Sequence, residues 1–373
     1  MKNLIVTLEY PPQIGGIANY IYNLCSHLPS DQVVVYAPAH KQQVEFDKKN
    51  TWKTYRLNPY WNFIWPKWLR LFFQISTLVE VEKIDMLYVN HVLPVGYVAY
   101  LIKKFKKIQY TLFLHGTDIE MATNHPAKRK KFIKLVRNAK TVVVNSEFLK
   151  NKIQNFVENL SDVRVVYPCP SDKFFDRSIV DPSELSLLRS RLALNGKKVV
   201  ITVARMVEGK GFPHLINALP EILKKVPNLV WLVVGDGPKS KEIFEMIQKK
   251  SLQNVVRFLG SIDTTQLVKY YHLADLFVLL THKDENHEEG WGTVFLEAAA
   301  CGLPVVAGRV GGVEEAVLHN QTGLIVDTYQ SQKVAEDIIK LLTNEELSKQ
   351  LGEAARLRVV DNFRWEKEVL KLN

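Results

Sequence analysis

What the sequence lacks narrows it first. Its three cysteines, Cys25, Cys169 and Cys301, lie far apart with no metal-ligand spacing. That excludes a disulfide framework and suggests a reducing compartment. No secretory signal is expected, because MKNLIVTLEYPP runs from an apolar start straight into Glu9 and two prolines. The most apolar long stretch, 86–102, is interrupted by Asn90, His91 and Pro94, and reads as a buried strand followed by a buried helix rather than a membrane span. The Walker phosphate loop, the G-x-G-x-x-G fingerprint and the G-x-S-x-G elbow are all missing. GDGPKS at 235–240 fails the dinucleotide pattern at its last position, so a nicotinamide enzyme or a hydrolase has little support. Internal repeats and low-complexity segments are absent as well.

What is present is ordinary globular composition, 47% hydrophobic and 24% charged, over 373 residues, a comfortable length for two domains. The net charge is +10, and it is unevenly placed. Residues 1–180 carry 25 Lys+Arg against 14 Asp+Glu, a net of +11, and the remainder carries 24 against 25. The basic half draws in anionic partners, whether phospholipid, phosphorylated substrate or nucleic acid. No recognition helix, RNA-binding signature or zinc finger supports nucleic acid.

Short apolar runs separated by amphipathic stretches predict buried parallel strands alternating with helices. The first set is 4–8, 33–37, 86–89, 110–114, 141–144 and 163–166, with helices such as 126–138 and 146–156 between. The pattern pauses at YPCPSDKFFD (167–176) and resumes at 198–204, 229–235, 255–260, 275–280, 304–307 and 323–326. Two runs of strand-helix units predict an α/β protein of two doubly wound parallel-sheet domains facing a cleft at the carboxyl ends of their strands. The expected boundaries are 1–172 and 173–359. The tail from 330 reads as helix throughout, and Phe363, Trp365 and Leu370 are expected to pack back on the first domain.

Candidate chemistry collects in the loops after strands. PPQIGGIANY holds Gly15 and Gly16 at a helix start, where backbone amides can meet a phosphate; a tight turn is the alternative. His115, Gly116, Thr117 and Asp118 follow a strand end, where ligands bind, which favours function; Thr117 or Asp118 as a cap on the next helix is the alternative. Arg205 and Lys210 flank glycines after the first strand of the second set. They can converge on a diphosphate, unless they are two solvated charges. The strongest signal is Glu289-Gly290-Trp291-Gly292-Thr293, followed one helical turn later by Glu297. The glycines allow a loop entering a helix whose free amides suit a diphosphate, Glu297 suits a ribose diol, and Glu289 suits sugar hydroxyls. A helix cap with a surface Glu is the structural alternative. His282, Asp284, Glu285, His287 and Glu288 match no closed metal site and read as a solvated loop, so no metal is expected there.

Together these residues resemble the family 4 glycosyltransferases, nearest the bacterial phosphatidylinositol mannosyltransferase branch. The resemblance spans nearly the whole chain. It rests on the ordered set PPxxGGI, the HG loop, the Arg-x4-Lys pair, VGDGP, NVVRFLG, the two glutamates with seven residues between, and GGVEEAV…NQTGLIVD. It implies the two-domain GT-B architecture and retaining transfer of a hexose from a nucleotide diphosphate sugar, GDP-mannose or a UDP-sugar, with no protein nucleophile and no metal or other cofactor. It further implies that Gly16 and its neighbours contact the diphosphate and that His115 lies near the transferred sugar. Arg205 and Lys210 would hold the diphosphate, stabilising the leaving group. Glu289 and the 290–293 amides would position the sugar, Glu297 the ribose, and the backbone from Leu259 to Ser261 the base. The chain departs from many relatives at the interdomain link, with Pro168-Cys-Pro-Ser-Asp172 in place of Asn-Gly-Val-Asp.

The segment 55–73 sets Trp61, Trp65 and Trp68 among Arg56, Lys67 and Arg70, and KKFKK (103–107) and KRKKFIK (128–134) follow. This is the composition of an interfacial segment at an anionic membrane. A lipid-linked or cell-surface glycan acceptor and a cytoplasmic, membrane-peripheral location are therefore expected. Two other functional classes compete: an epimerase or phosphorylase on the same fold, and a non-catalytic module that binds anionic membranes.

Overall fold

A computed structural model describes residues 1–61, 65–116, 119–120, 126–160, 162–284 and 288–372. The chain forms two compact units, Met1–Pro168 with Trp365–Asn373, and Cys169–Arg364.

The first unit is a seven-stranded, wholly parallel sheet. Its strands are β1 Asn3–Val6, β2 Val33–Ala37, β3 Lys53–Arg56, β4 Met86–Val89, β5 Gln109–Leu114, β6 Thr141–Val144 and β7 Val163–Val165, in the order β3-β2-β1-β4-β5-β6-β7. Most of these strands are near-continuous Val, Ile and Leu because both sheet faces are covered, which also made them visible as apolar runs. β3 (KTYR) was not foreseen. It lies at the sheet edge, is only half-buried, and carries no apolar signal. The tail helix Trp365–Glu368 belongs to this unit: Trp365 is buried against Tyr20, ring centroids 5.2 Å apart, and the Glu368 carboxylate accepts the Tyr167 N–H at 2.7 Å. Two expectations for the tail fail. Leu370 is exposed, and Phe363 packs on Trp291 of the second unit instead.

The second unit has six parallel strands: β8 Lys198–Val203, β9 Leu229–Val234, β10 Val256–Gly260, β11 Leu276–Leu279, β12 Val305–Gly308 and β13 Leu324–Val326. Their order is β10-β9-β8-β11-β12-β13. In each unit the chain builds outward from one strand and then returns to that strand's other side. The reversal falls between β1 and β4 in the first unit and between β8 and β11 in the second. At such a point adjacent loops leave in opposite directions, opening a crevice at the strands' carboxyl ends. Among the described residues, no helix is long and apolar enough to cross a membrane.

Candidate active site

In the second unit the loops after β8 and β11 are laced together at the reversal point. The His282 N–H donates to the Gly209 carbonyl at 2.9 Å. The loop after β8 is also tied to the one after β9, through Met206 N–H to the Asp236 carbonyl at 3.0 Å. This frame brings Lys210 and Glu289, 79 residues apart, into a direct ion pair with side chains only 18% and 14% exposed. Arg205, on the same β8 loop, is exposed, and its guanidinium has no hydrogen-bond partner among the described residues.

Gly292 is the N-cap of the helix Thr293–Ala300 at φ 86°, and a Cβ there would fall 2.6 Å from the Phe295 ring. Glycine is therefore required to start this helix where it starts. The backbone N–H groups of Gly290, Gly292 and Thr293 find no acceptor among the described residues, and no acidic residue occupies the first turn. Trp291 turns inward against Phe363 at 5.4 Å. The Glu289 carbonyl is held by the Gly312 N–H at 3.0 Å. Gly311 approaches the same carbonyl so closely that a Cβ would lie 2.0 Å from it. The motif GGVEEAV thus has a mechanical role that no sequence pattern announces.

Glu297 is buried on the helix Thr293–Ala300, and the Tyr271 hydroxyl donates to its Oε2 at 3.0 Å. Burial pushes its carboxyl up to about 7, against the pull of that hydrogen bond. Leu259 and Ser261 sit at the carboxyl end of the edge strand β10, where Gly235 donates its N–H to the Gly260 carbonyl at 2.8 Å.

In the first unit, Thr7, Asn90, His115 and Asn145 are each the residue immediately after β1, β4, β5 and β6. His115 lies between Asn90 Oδ1 and Asn145 Nδ2, each 3.4 Å from a ring nitrogen, with the Tyr20 ring at 5.2 Å. His91 reaches the Thr7 hydroxyl at 3.3 Å. Burial, reinforced by the like charge of His91, lowers His115 to about 3, and burial lowers His91 to about 4, so both are neutral at pH 7. Asn90 and His91 stood out in the sequence only as interruptions of an apolar stretch, and Asn145 not at all. Gly15 and Gly16 open the helix Gly16–Ser26, where a Cβ on Gly16 would meet nothing within 4 Å. Space beside that backbone is open. Thr117 and Asp118 lie outside the described residues.

One expectation needs correction. The 282–288 segment is not simply a solvated loop: the His282 side chain is 11% exposed and meets the His214 ring at 4.7 Å, and the Glu288 side chain is 14% exposed. Glu285 and His287 lie outside the described residues, and among those described the loop assembles no metal-ligand set.

Comparison with known proteins bears on the family and the fold. The Glycosyl transferases group 1 model matches residues 187–358, and the Glycosyltransferase Family 4 model matches 14–169. The chain belongs to glycosyltransferase family 4. Both halves of this glycosyltransferase are thus accounted for in order. It is 27% identical over 365 residues to a GDP-mannose-dependent alpha-(1-6)-phosphatidylinositol monomannoside mannosyltransferase of Mycolicibacterium smegmatis, covering 97% of this chain and 94% of that one. It is 28% identical over 369 residues to the N-acetyl-alpha-D-glucosaminyl L-malate synthase of Bacillus anthracis, covering 98% and 91%. Among solved structures, Anabaena HepE in complex with UDP superposes with a TM-score of 0.83 at 21% identity, over 100% of this chain and 98% of that one. The shared fold is GT-B, two Rossmann-like parallel-sheet domains.

Proposed function

We propose that this glycosyltransferase moves a hexose, with retention, from a nucleoside diphosphate sugar to a lipid-linked or cell-surface glycan acceptor. The observation that carries the reading is the pairing of Lys210 with Glu289 beside the unclaimed amides of Gly290, Gly292 and Thr293. Unclaimed N–H groups at and just before a helix start, with an ammonium group beside them, suit an anion. When a diphosphate arrives, its oxygens compete with Glu289 for Lys210, and the Glu289 carboxylate can accept from sugar hydroxyls. Arg205 is a second, uncommitted cation on the same loop. Charge that grows on the leaving diphosphate is met by groups already in place, which is where preorganised electrostatics lowers a barrier most. Gly16 and its neighbours would add amides to the diphosphate, Leu259 to Ser261 would border the base, and Glu297 would take the ribose hydroxyls. His115, neutral at working pH, would serve as a polar contact for the sugar rather than as a cation. Lys210 and Arg205 supply the positive charge the diphosphate needs, so no metal is required in this reading.

Relatives that use GDP-mannose, and HepE solved with UDP, leave two bases in view. Kinship with the mannosyltransferases favours GDP-mannose. For the acceptor side, the first unit offers exposed Trp65, Phe73 and Phe105, with Lys128, Arg129, Lys130 and Lys131 exposed on the helix Pro126–Asn138. Such a surface suits an anionic membrane. The basic set differs from the one expected. The Arg56 side chain is only 5% exposed, pairing with Asp47 at 2.8 Å, and Arg70 is half-buried with its guanidinium toward the Tyr60 carbonyl at 3.4 Å.

A thermal-shift panel of GDP, UDP, ADP and their sugars in EDTA tests the donor reading, since a ligand that binds only the native state raises Tm. One nucleotide family should raise it without metal. Lys210→Ala should abolish that shift and lower turnover by about 100-fold or more, by analogy with losing one preorganised donor to a developing anion. No shift with any nucleotide, or near-normal turnover in Lys210→Ala, would overturn the reading.

A further inference from the structure

Tyr271 lies on the helix Thr264–Leu273, 26 residues before Glu297, and belongs to no motif singled out in the sequence. Its ring is fully buried, with Phe174 at 5.8 Å and Phe277 at 5.9 Å, so the hydroxyl has a fixed position. Burial, followed by the charge of Glu297, raises its ionisation well above 10.0, so it remains an O–H donor throughout the working pH range. The bond from Tyr271 to Oε2 is the one hydrogen bond the Glu297 carboxylate makes among the described residues. Oε1 makes no hydrogen bond among the described residues. The two oxygens therefore have different surroundings: Oε2 is tied to Tyr271, and Oε1 is left to accept from a ligand.

We propose that Tyr271 is a positioning residue for nucleotide recognition, holding Oε2 of Glu297 so that Oε1 faces the hydroxyls of the donor ribose. The inference rests on the reading of Glu297 as the ribose partner. A carboxylate accepts hydrogen bonds at both oxygens, whereas its acid form must place a proton on one of them. With Oε2 already receiving the Tyr271 hydroxyl, that proton goes to Oε1, where it competes with the ribose. Among the described residues, Tyr271 is the titratable group that acts on Glu297, and the Cys301 thiol faces Tyr271 in turn. Ribose affinity should therefore decline as pH falls. Loss of the Tyr271 hydroxyl should move that decline to higher pH, because a hydrogen bond that favours the ionised form is gone.

The test measures Kd for GDP, UDP, ADP and CDP, and for the 2′-deoxy form of whichever binds, between pH 6 and 9. The proteins are the wild type, Tyr271→Phe and Glu297→Gln. Tyr271→Phe should weaken the ribonucleotide about tenfold at pH 7 and little at pH 9, while the deoxynucleotide changes less. Glu297→Gln should remove the pH dependence and narrow the ribo-to-deoxy difference. If Glu297→Gln behaves so but Tyr271→Phe leaves that difference and the pH profile intact, the positioning role falls and the ribose reading stands. If Glu297→Gln changes neither, or no nucleotide binds, both fall. Should Tyr271→Phe fail to fold, wild-type calorimetry in buffers of different ionisation enthalpy decides. Ribonucleotide binding at pH 7 should release more protons than deoxynucleotide binding, and equal release would overturn the proposal.

Discussion

At the scale of single residues, the two units hold buried titratable groups of opposite consequence. His91 and His115 are lowered from 6.5 to about 4 and about 3. Between those values and 6.5 the unfolded chain binds more protons than the folded one, so their contribution to stability is lost as pH falls through that window. Glu297 is raised from 4.5 to about 7, so in that range the folded chain holds the extra proton and stability falls as pH rises. The Tm of a His91→Gln, His115→Gln variant should therefore drop less than that of the wild type between pH 6.5 and 4.5. Parallel curves would show that the histidines do not carry the acid sensitivity. Lys210, Glu289, Glu297 and His115 were each legible in the sequence as residues just beyond a strand or on a glycine-started helix. Their partners were not: Asn90 and Asn145 reach His115 through sheet order, and Tyr271 reaches Glu297 through helix packing, neither of which is a local pattern.

Among the elements, the helix Thr293–Ala300 does the most for the candidate donor site, since the amides of Gly292 and Thr293 at its start have no acceptor among the described residues and its next turn carries Glu297. That start depends on Gly292, whose φ of 86° and contact with the Phe295 ring leave no room for a side chain. Gly292→Ala should destabilise the protein by about 1–3 kcal/mol and lower Tm accordingly. An unchanged Tm would mean that the loop can shift without penalty. Eleven of the twelve strand positions expected from apolar runs coincide with observed strands to within a residue at each end, and the twelfth, 4–8, runs two residues past the end of β1. The exception in kind is β3, where a half-buried edge needs no apolar run, so only pairing with β2 identifies it as a strand.

For the molecule as a whole, the basic excess of residues 1–180 becomes a surface only once folding decides which cations remain in water. Arg56 is taken out of play by Asp47, and Lys106 by Glu80, whereas Lys128 to Lys131 stay exposed. Co-sedimentation should favour phosphatidylglycerol vesicles over phosphatidylcholine. Changing Lys128, Arg129, Lys130 and Lys131 to Gln should remove most of that preference, at about 1 kcal/mol for each cation near the surface. Equal binding to both vesicle types would eliminate the membrane reading.

The alternation of apolar runs and amphipathic helices, readable residue by residue, was enough to specify two parallel α/β units and to place the loops of the candidate site. Hydrophobic periodicity is a local property, and each strand announces its own burial. Strand order is not local. Only the folded sheets put β8 beside β11, and so Lys210 against Glu289; only the packed helices put the Tyr271 hydroxyl on Glu297. Such contacts arise from elements far apart in the chain that meet because their apolar faces must be buried together.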